Sequence, residues 1–337
     1  MTDRTEMLKT WLRDELRLGD VRLEPASGDA SFRRYFRVAG AARSYIAMDA
    51  PPAQEDCGAF LDISTRLGKI GLNVPQVYEA DRERGFLLLS DLGTRLYLDA
   101  LDADSADRLY GDALGALAVI QARGPGAGEL PPYDRERLSA EMDLFPVWFL
   151  ERHLGMTLAR EQREMLQAQF ERLATAALEQ PQVCVHRDYH SRNLLVTERN
   201  NPGILDYQDA VIGPVTYDLV SVLRDAYIAW PGERVQGWAL GYHRLAIDSG
   251  ILRDTDRPQD QRRFLRWFDW MGIQRQLKVA GIFARLHHRD GKPGYLGDIP
   301  RTLDYLRSVS ARYPELAELH GFVEREVVPR MAGADPV

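Results

Sequence analysis

The chain has 337 residues, of which 45% are hydrophobic and 28% charged, and its 43 basic and 50 acidic side chains give a formal charge of −7. That mixture excludes bulk disorder and low-complexity architectures. An acidic chain also lacks the basic face that nonspecific nucleic-acid binding needs, and at about 150 residues per domain the length points to two lobes.

Cys57 and Cys184 cannot make a disulfide framework and sit in apolar stretches, so buried reduced thiols are expected. The first twenty residues are charged throughout, unlike a signal peptide, and no uncharged apolar run is long enough to span a bilayer. The expectation is a cytoplasmic protein with no membrane partner.

Met7, Leu8, Trp11, Leu12, Leu16 and Leu18 follow helical spacing, which predicts a short amphipathic helix over 6–18. Five β-prone runs come next: Val21–Leu23, Tyr35–Val38, Tyr45–Met48, Val77–Tyr78 and Phe86–Leu89, interrupted by a helix at about 54–69. This reads as a small antiparallel sheet with one helix. After Gly93 helical patterns dominate, over 98–122, 134–154, 160–179, 215–229, 232–249, 259–288 and 300–314. One strand-rich island lies among them, with Val183–His186, Leu194–Val196 and Gly203–Asp206. The fold class is therefore α+β, with an N-terminal lobe over 1–92 and a mainly helical C-terminal lobe over 93–337.

The island carries the chemistry. An apolar strand runs into His186-Arg187-Asp188, Asn193 follows, and a second apolar strand leads to Asp206. Phosphoryl transfer asks a protein for positioning and charge neutralisation. Asp188 suits the carboxylate that orients and deprotonates an attacking hydroxyl. Asn193 and Asp206 are hard oxygen ligands suited to Mg²⁺ at the two ends of a short hairpin. The pattern H-R-D-x-x-x-x-N followed by a strand-borne Asp is that of a kinase.

These residues resemble the catalytic and metal loops of the aminoglycoside phosphotransferase and choline kinase superfamily, small-molecule kinases with a protein-kinase-like fold. The order of elements is similar from about residue 20 to 290. Within the superfamily, D206-Y-Q-D-A-V-I-G-P-V-T-Y-D218-L-V-S, the stretch from Arg266 to Arg285 and S44-Y-I-A-M-D-A-P-P52 are similar to a bacterial branch. That branch includes the anomeric N-acetylmuramate/N-acetylglucosamine kinase of peptidoglycan recycling.

The resemblance implies ATP and Mg²⁺ as cofactors, Asp188 as catalytic carboxylate, Asn193 and Asp206 as metal ligands, and Asp218 as a brace for the catalytic loop. It implies a small-molecule sugar acceptor phosphorylated at its anomeric hydroxyl; a monomer is the expectation for the chain, and its sequence leaves the oligomeric state open. It also places the nucleotide clamp on Ser27, Gly28, Asp29, Ala30, Ser31 and Arg33, a turn between two strands, although an ordinary hairpin turn has the same composition. The adenine would meet backbone groups of Leu89, Asp91 and Leu92.

One position departs from the pattern. Kinases of this fold carry a phosphate-pairing Lys on the third strand, and here Met48 stands in its place. Arg33, Arg34 or Arg37 is the candidate substitute, with Glu55 or Asp56 as its partner. For the acceptor, His190, Arg192, Asp209, Trp270 and Arg275 are the candidates, with Trp267 and Asp269 on the same helical stretch. Any single Trp there is equally read as core.

Other motifs are missing or weak. His186 and His190 are spaced like a zinc pair, but they flank a kinase loop rather than share a helix. No P-loop, nucleophile elbow or dinucleotide-binding glycine motif occurs. The rival readings are a kinase of another alcohol, such as an aminoglycoside or choline, and a non-catalytic nucleotide-binding regulator.

Overall fold

The computed structural model of the chain describes residues 3–27, 32–41, 43–253 and 255–333. It divides into two compact units: residues 1–113 with 192–209, and residues 114–191 with 210–337.

The first unit is built on a five-stranded antiparallel sheet of order β1-β2-β3-β5-β4. Its strands are β1 (Arg22–Ser27), β2 (Arg34–Ala39), β3 (Tyr45–Asp49), β4 (Val77–Asp81) and β5 (Phe86–Ser90). The last four contain the corresponding β-prone runs and extend them by one to three residues, while β1 starts one residue after the expected Val21 and runs on to Ser27. Side chains alternate faces along a strand, so register decides which apolar residues meet. Phe36, Ala47 and Leu88 stand opposite one another. They pack with Val38 and Phe86 against Leu8, Trp11 and Leu12 of α1 (Arg4–Thr10) and the π-turn that continues it to Glu15. On the other face Tyr35, Met48 and Leu87 are in register, with Met48 and Leu87 fully buried. Met48 is thus a core residue.

Asp49, at the end of β3, is also fully buried and is held by both Arg34 and Arg4. Helix α2 (Cys57–Lys69) starts where Asp56 accepts the N–H of Gly58 at 2.8 Å, a side-chain N-cap.

The run expected as one helix over 98–122 is two, α3 (Tyr97–Ala100) and α4 (Ala106–Arg123). Asp102 breaks it by accepting the N–H groups of Asp104 and Ser105, the local competition with helix that favours Asp in turns.

The second unit is mainly helical. Its helices are α5 (Arg135–Met142), α6 (Arg160–Leu178), α7 (Tyr217–Leu223), α8 (Gly232–Asp248), α9 (Pro258–Asp290), α10 (Ile299–Ser310), α11 (Ala317–Phe322) and α12 (Val328–Gly333), with a π-helical stretch at Phe145–His153. The continuous pattern over 134–154 breaks just before Pro146. Helix α9 is the axis of the unit, buried along most of its length from Phe264 to Leu286, with Pro258 at its first position and left-handed Gly291 at its end.

The helix expected over 215–229 stops at Leu223. Asp225 turns the chain there by accepting the N–H groups of Tyr227 and Ser191. The strand β9 (Val211–Pro214), hidden in the sequence by its Gly-Pro ending, pairs with β6 (Gln182–Val185). Cys57 and Cys184 are both free and buried, as expected. Among the described residues no helix is long and apolar enough to cross a membrane.

Candidate active site

In the second unit the apolar strand β6 delivers the chain into His186-Arg187-Asp188. Arg187 adopts a left-handed backbone, φ 78, a conformation that costs a non-glycine residue about 1–2 kcal/mol. Asp218 of α7 holds this turn. Its Oδ2 accepts the His186 N–H at 2.6 Å and its Oδ1 the Arg187 N–H at 3.0 Å. Asp218 thus makes the bracing contact that the resemblance implied. Burial pushes its carboxyl up to about 6, against the pull of His186 and the two amides.

The Arg187 side chain is held as well. Its Nη2 meets Glu141 of α5 at 2.7 Å. Lys278 of α9 reaches the same carboxylate at 3.1 Å and the Tyr217 hydroxyl at 2.8 Å. Burial pushes Glu141 up, but Lys278 and Arg187 more than offset it and hold the carboxyl below its ordinary value.

Asp188 is half-buried. Burial alone would raise its pKa; the positive field of Lys278, His190, Arg275 and Arg187 wins and holds it low. An ionised carboxylate at neutral pH is what a proton acceptor needs. His190 packs edge-on to Tyr227, with centroids 5.5 Å apart, and burial keeps its ring below the ordinary imidazole value.

In the first unit the hairpin β7 (Leu194–Leu195) and β8 (Gly203–Ile204) brings its two ends together. Leu205 N–H donates to the Asn193 carbonyl at 2.9 Å. The Asn193 amide lies 3.3 Å from Asp206 Oδ2. The hairpin is fastened to the unit's other elements: Ile204 N–H donates to the Asn73 carbonyl, and the Asn201 amide bonds Tyr97 and Asp112. Asp206 is left-handed, φ 63. The turn buries Tyr207 against Phe60 of α2, with centroids 5.2 Å apart, and lets Gln208 donate to Asp206 Oδ1 at 2.7 Å.

One carboxylate and one amide oxygen suit Mg²⁺, which takes few protein ligands and completes its octahedron with phosphates and water. Among the described residues no group of three His, Cys, Asp or Glu converges as a transition-metal cage would require.

The three arginines considered in place of the strand lysine separate. Arg34 is committed to Asp49. Arg37 bonds Asp91 at 2.7 and 3.1 Å. Arg33, its side chain nearly buried, directs Nη2 to 3.9 Å from Asp206 Oδ1. Glu55 accepts the backbone N–H of Phe32, next to Arg33, while Asp56 is spent on its helix cap.

Gly28, Asp29, Ala30 and Ser31 lie outside the described residues; Ser27 ends β1. Leu89 is in β5, and the Asp91 side chain is tied to Arg37, Ser44 and the Gly93 N–H. Leu92 packs where a side chain on Gly203 would reach, 3.2 Å away.

The acceptor candidates also separate. His190 and Arg275 share the field around Asp188. Arg192 and Asp209 are exposed members of the first unit, and Asp209 lies 3.4 Å from the Gln208 amide. Trp270 is buried under the Arg266 guanidinium, 3.9 Å from its ring, and meets Tyr313 edge-on. With Trp267 it lines a groove of about 880 Å³ along α6 and α9. Five positions separate Trp270 from Arg275, which sets them about 140° apart around the helix axis. The sequence reading missed Glu141 and Lys278. Both lie on helical patterns where a single charge reads as surface.

Residues 22–258 match the model of the phosphotransferase enzyme family. The chain is 48% identical to an N-acetylmuramate/N-acetylglucosamine kinase of Pseudomonas putida, covering 94% of each chain. It is 51% identical to the protein of that name from Pseudomonas aeruginosa, over 88% of this chain and 86% of that one. Among solved structures, a choline kinase from Cryptosporidium parvum superposes with a TM-score of 0.64 at 10% identity, covering 95% of this chain and all of that one, a likeness of fold. The catalytic-loop pattern, the protein-kinase-like α+β fold and these matches agree, and the chain belongs to the phosphotransferase enzyme family.

Proposed function

We propose that this protein is an ATP-dependent sugar kinase that phosphorylates the anomeric hydroxyl of N-acetylmuramate or N-acetylglucosamine. The observation that carries the reading is identity of about half the residues, over nearly the full length, with two relatives of that name. Residues 1–92 serve as the nucleotide-clamp lobe and residues 93–337 as the catalytic and acceptor lobe. The setting is the cytoplasm, and the acceptor is a free sugar met by a monomer.

Asp188 accepts the proton of the anomeric hydroxyl as that oxygen bonds to the γ-phosphorus and the bond to the bridging oxygen of ADP breaks. Lys278, Arg187 and Arg275 favour the ionised carboxylate that does this. Asn193 and Asp206 hold Mg²⁺, which when bound supplies neutralisation of charge on the donor phosphates. Arg33 provides the cation that Met48 does not. The turn at Ser27–Ser31 offers its amides to the phosphates, and the backbone at Leu89–Leu92 receives the base.

The test is ATP consumption against a panel of free sugars, amino sugars, aminoglycosides and choline, with ³¹P NMR of the product. An acid-labile anomeric phosphate formed from N-acetylmuramate or N-acetylglucosamine is expected. Turnover of an aminoglycoside or choline alone reassigns the acceptor. Mg·ATP binding without turnover of any acceptor supports the non-catalytic regulator instead.

A further inference from the structure

Among the described residues of the second unit, three Lys or Arg side chains, Arg224, Lys278 and Arg275, are more than nine-tenths buried. Burying a cation is costly unless it is paired. Arg224 has Asp269, and Lys278 has Glu141. Among the described residues Arg275 has no carboxylate at ion-pair distance. Its Nε donates to the Ser221 hydroxyl at 2.5 Å, and its Nη1 is buried without a hydrogen-bond partner among the described residues. A second buried nitrogen, His190 Nδ1, also has no hydrogen-bond partner among the described residues. The two residues feel one another electrostatically, and both act on Asp188. Two unpaired nitrogens, one on a full positive charge, thus stand in the surroundings of the carboxylate that takes the acceptor's proton.

We propose that Arg275 and His190 form an oxyanion-binding subsite beside Asp188, completed by a negatively charged oxygen that arrives with substrate. Planar guanidinium chemistry matches both carboxylate and phosphate oxygens. Two sources bring such an oxygen: the carboxylate of an acidic sugar acceptor, and the phosphoryl group in transfer. The subsite rests on the kinase reading above, and the experiment separates the two.

The experiment compares wild type, Arg275→Gln and Arg275→Lys as full chains. It measures kcat and KM for ATP and for the anionic N-acetylmuramate and the neutral N-acetylglucosamine. Melting temperature is followed on adding inorganic phosphate. Loss of a charge-assisted hydrogen bond predicts a fall in kcat/KM of at least about tenfold for Arg275→Gln, with partial recovery in Arg275→Lys. A fall confined to N-acetylmuramate assigns the carboxylate. A fall in kcat with both sugars at unchanged KM assigns the phosphoryl oxygen.

If Arg275→Gln does not fold, Arg275→Lys, which keeps the charge and loses the planar fork, shows the same split at smaller size. If wild type turns over neither sugar, the acceptor reading fails by itself. The phosphate-induced rise in melting temperature, present in wild type and reduced in Arg275→Lys, then still reports the subsite. Variants equal to wild type in every one of these readouts overturn the proposal. So does a kcat/KM loss reproduced by Ser221→Ala, which assigns Arg275 to packing alone.

Discussion

Arg33 brings its guanidinium to 3.9 Å from the Asp206 carboxylate, while its neighbours Arg34 and Arg37 are committed to Asp49 and Asp91. The three residues were equivalent as sequence; Arg33 precedes β2, Arg34 and Arg37 lie on opposite faces of it, and the partners at each place make them different. Arg33→Met is therefore expected to raise the Michaelis constant for ATP by about 10-fold or more, the scale of one charge-assisted contact of about 1.5–3 kcal/mol. Arg34→Met and Arg37→Met are expected to lower stability and leave that constant within a few-fold of wild type. Steady-state kinetics with varied ATP, alongside urea melts, checks all three. An unchanged constant in Arg33→Met sends the search for the phosphate cation elsewhere.

Asn193 and Asp206 meet across the base of one hairpin, 3.3 Å apart. Asp206→Ala is expected to abolish turnover with the fold intact, and Asn193→Ala to raise the Mg²⁺ concentration needed for half-maximal rate. Asp188→Asn is expected to lower kcat about 10²–10⁴-fold, the usual range for a lost general base, without altering the Mg²⁺ requirement. A titration of rate against Mg²⁺ for Asn193→Ala and Asp188→Asn, with turnover and a melting curve for Asp206→Ala, separates the roles. Retained activity in Asp206→Ala breaks the metal assignment.

Much of this was legible in the sequence because the signals were local. Five strands, the α9 stripe and the spacing of Asp188, Asn193 and Asp206 are all written in period or pattern. The long-range partners were not. Asp218 lies 32 residues from the amide of His186 that it accepts, and only the family resemblance pointed to it. Glu141 and Lys278 meet from α5 and α9, and no periodicity says which charge on a helix turns inward. Trp270 and Arg275 share a helix and so looked like one group, yet one packs under Arg266 and the other beside Ser221. The end of α7 was overrun because Asp225 leaves the helix for a contact with Ser191, and propensity alone favoured continuing.

The field around Asp188 sets a pH dependence. Burial favours the neutral acid, and Lys278, His190, Arg275 and Arg187 together favour the carboxylate and prevail. The folded pKa is lowered, so the active ionised form persists as pH falls past the ordinary carboxylate value of about 4. The acidic limb of kcat/KM is expected below that value. Lys278→Met removes the largest of these favourable charges, so the limb is expected to move toward higher pH. Measuring kcat/KM on both proteins from about pH 2.5, below the ordinary carboxylate value, up to about pH 8 checks it. A limb that stays in place in Lys278→Met detaches Lys278 from the base.

Arg187 offers a case where two effects oppose and their sizes decide. Its left-handed backbone, φ 78, costs about 1–2 kcal/mol that glycine would not incur. Glycine returns about 0.5–1 kcal/mol of that through the entropy of the unfolded chain. Against this small gain stands the loss of the Glu141 contact at 2.7 Å. Breaking a buried pair costs about 3–5 kcal/mol when the remaining charge is abandoned, but here Lys278 still faces Glu141 at 3.1 Å, so the lower end applies. Arg187→Gly is expected to be destabilised by roughly 1–3 kcal/mol in urea denaturation, with reduced kcat because the loop bearing Asp188 loses one of its two anchors. Glu141→Gln is expected to act in the same direction through the same contact, and the double variant to be less than additive. A glycine variant as stable as wild type would show that relief of the backbone strain balances the lost ion pair, and that the Asp218 bonds alone hold the loop.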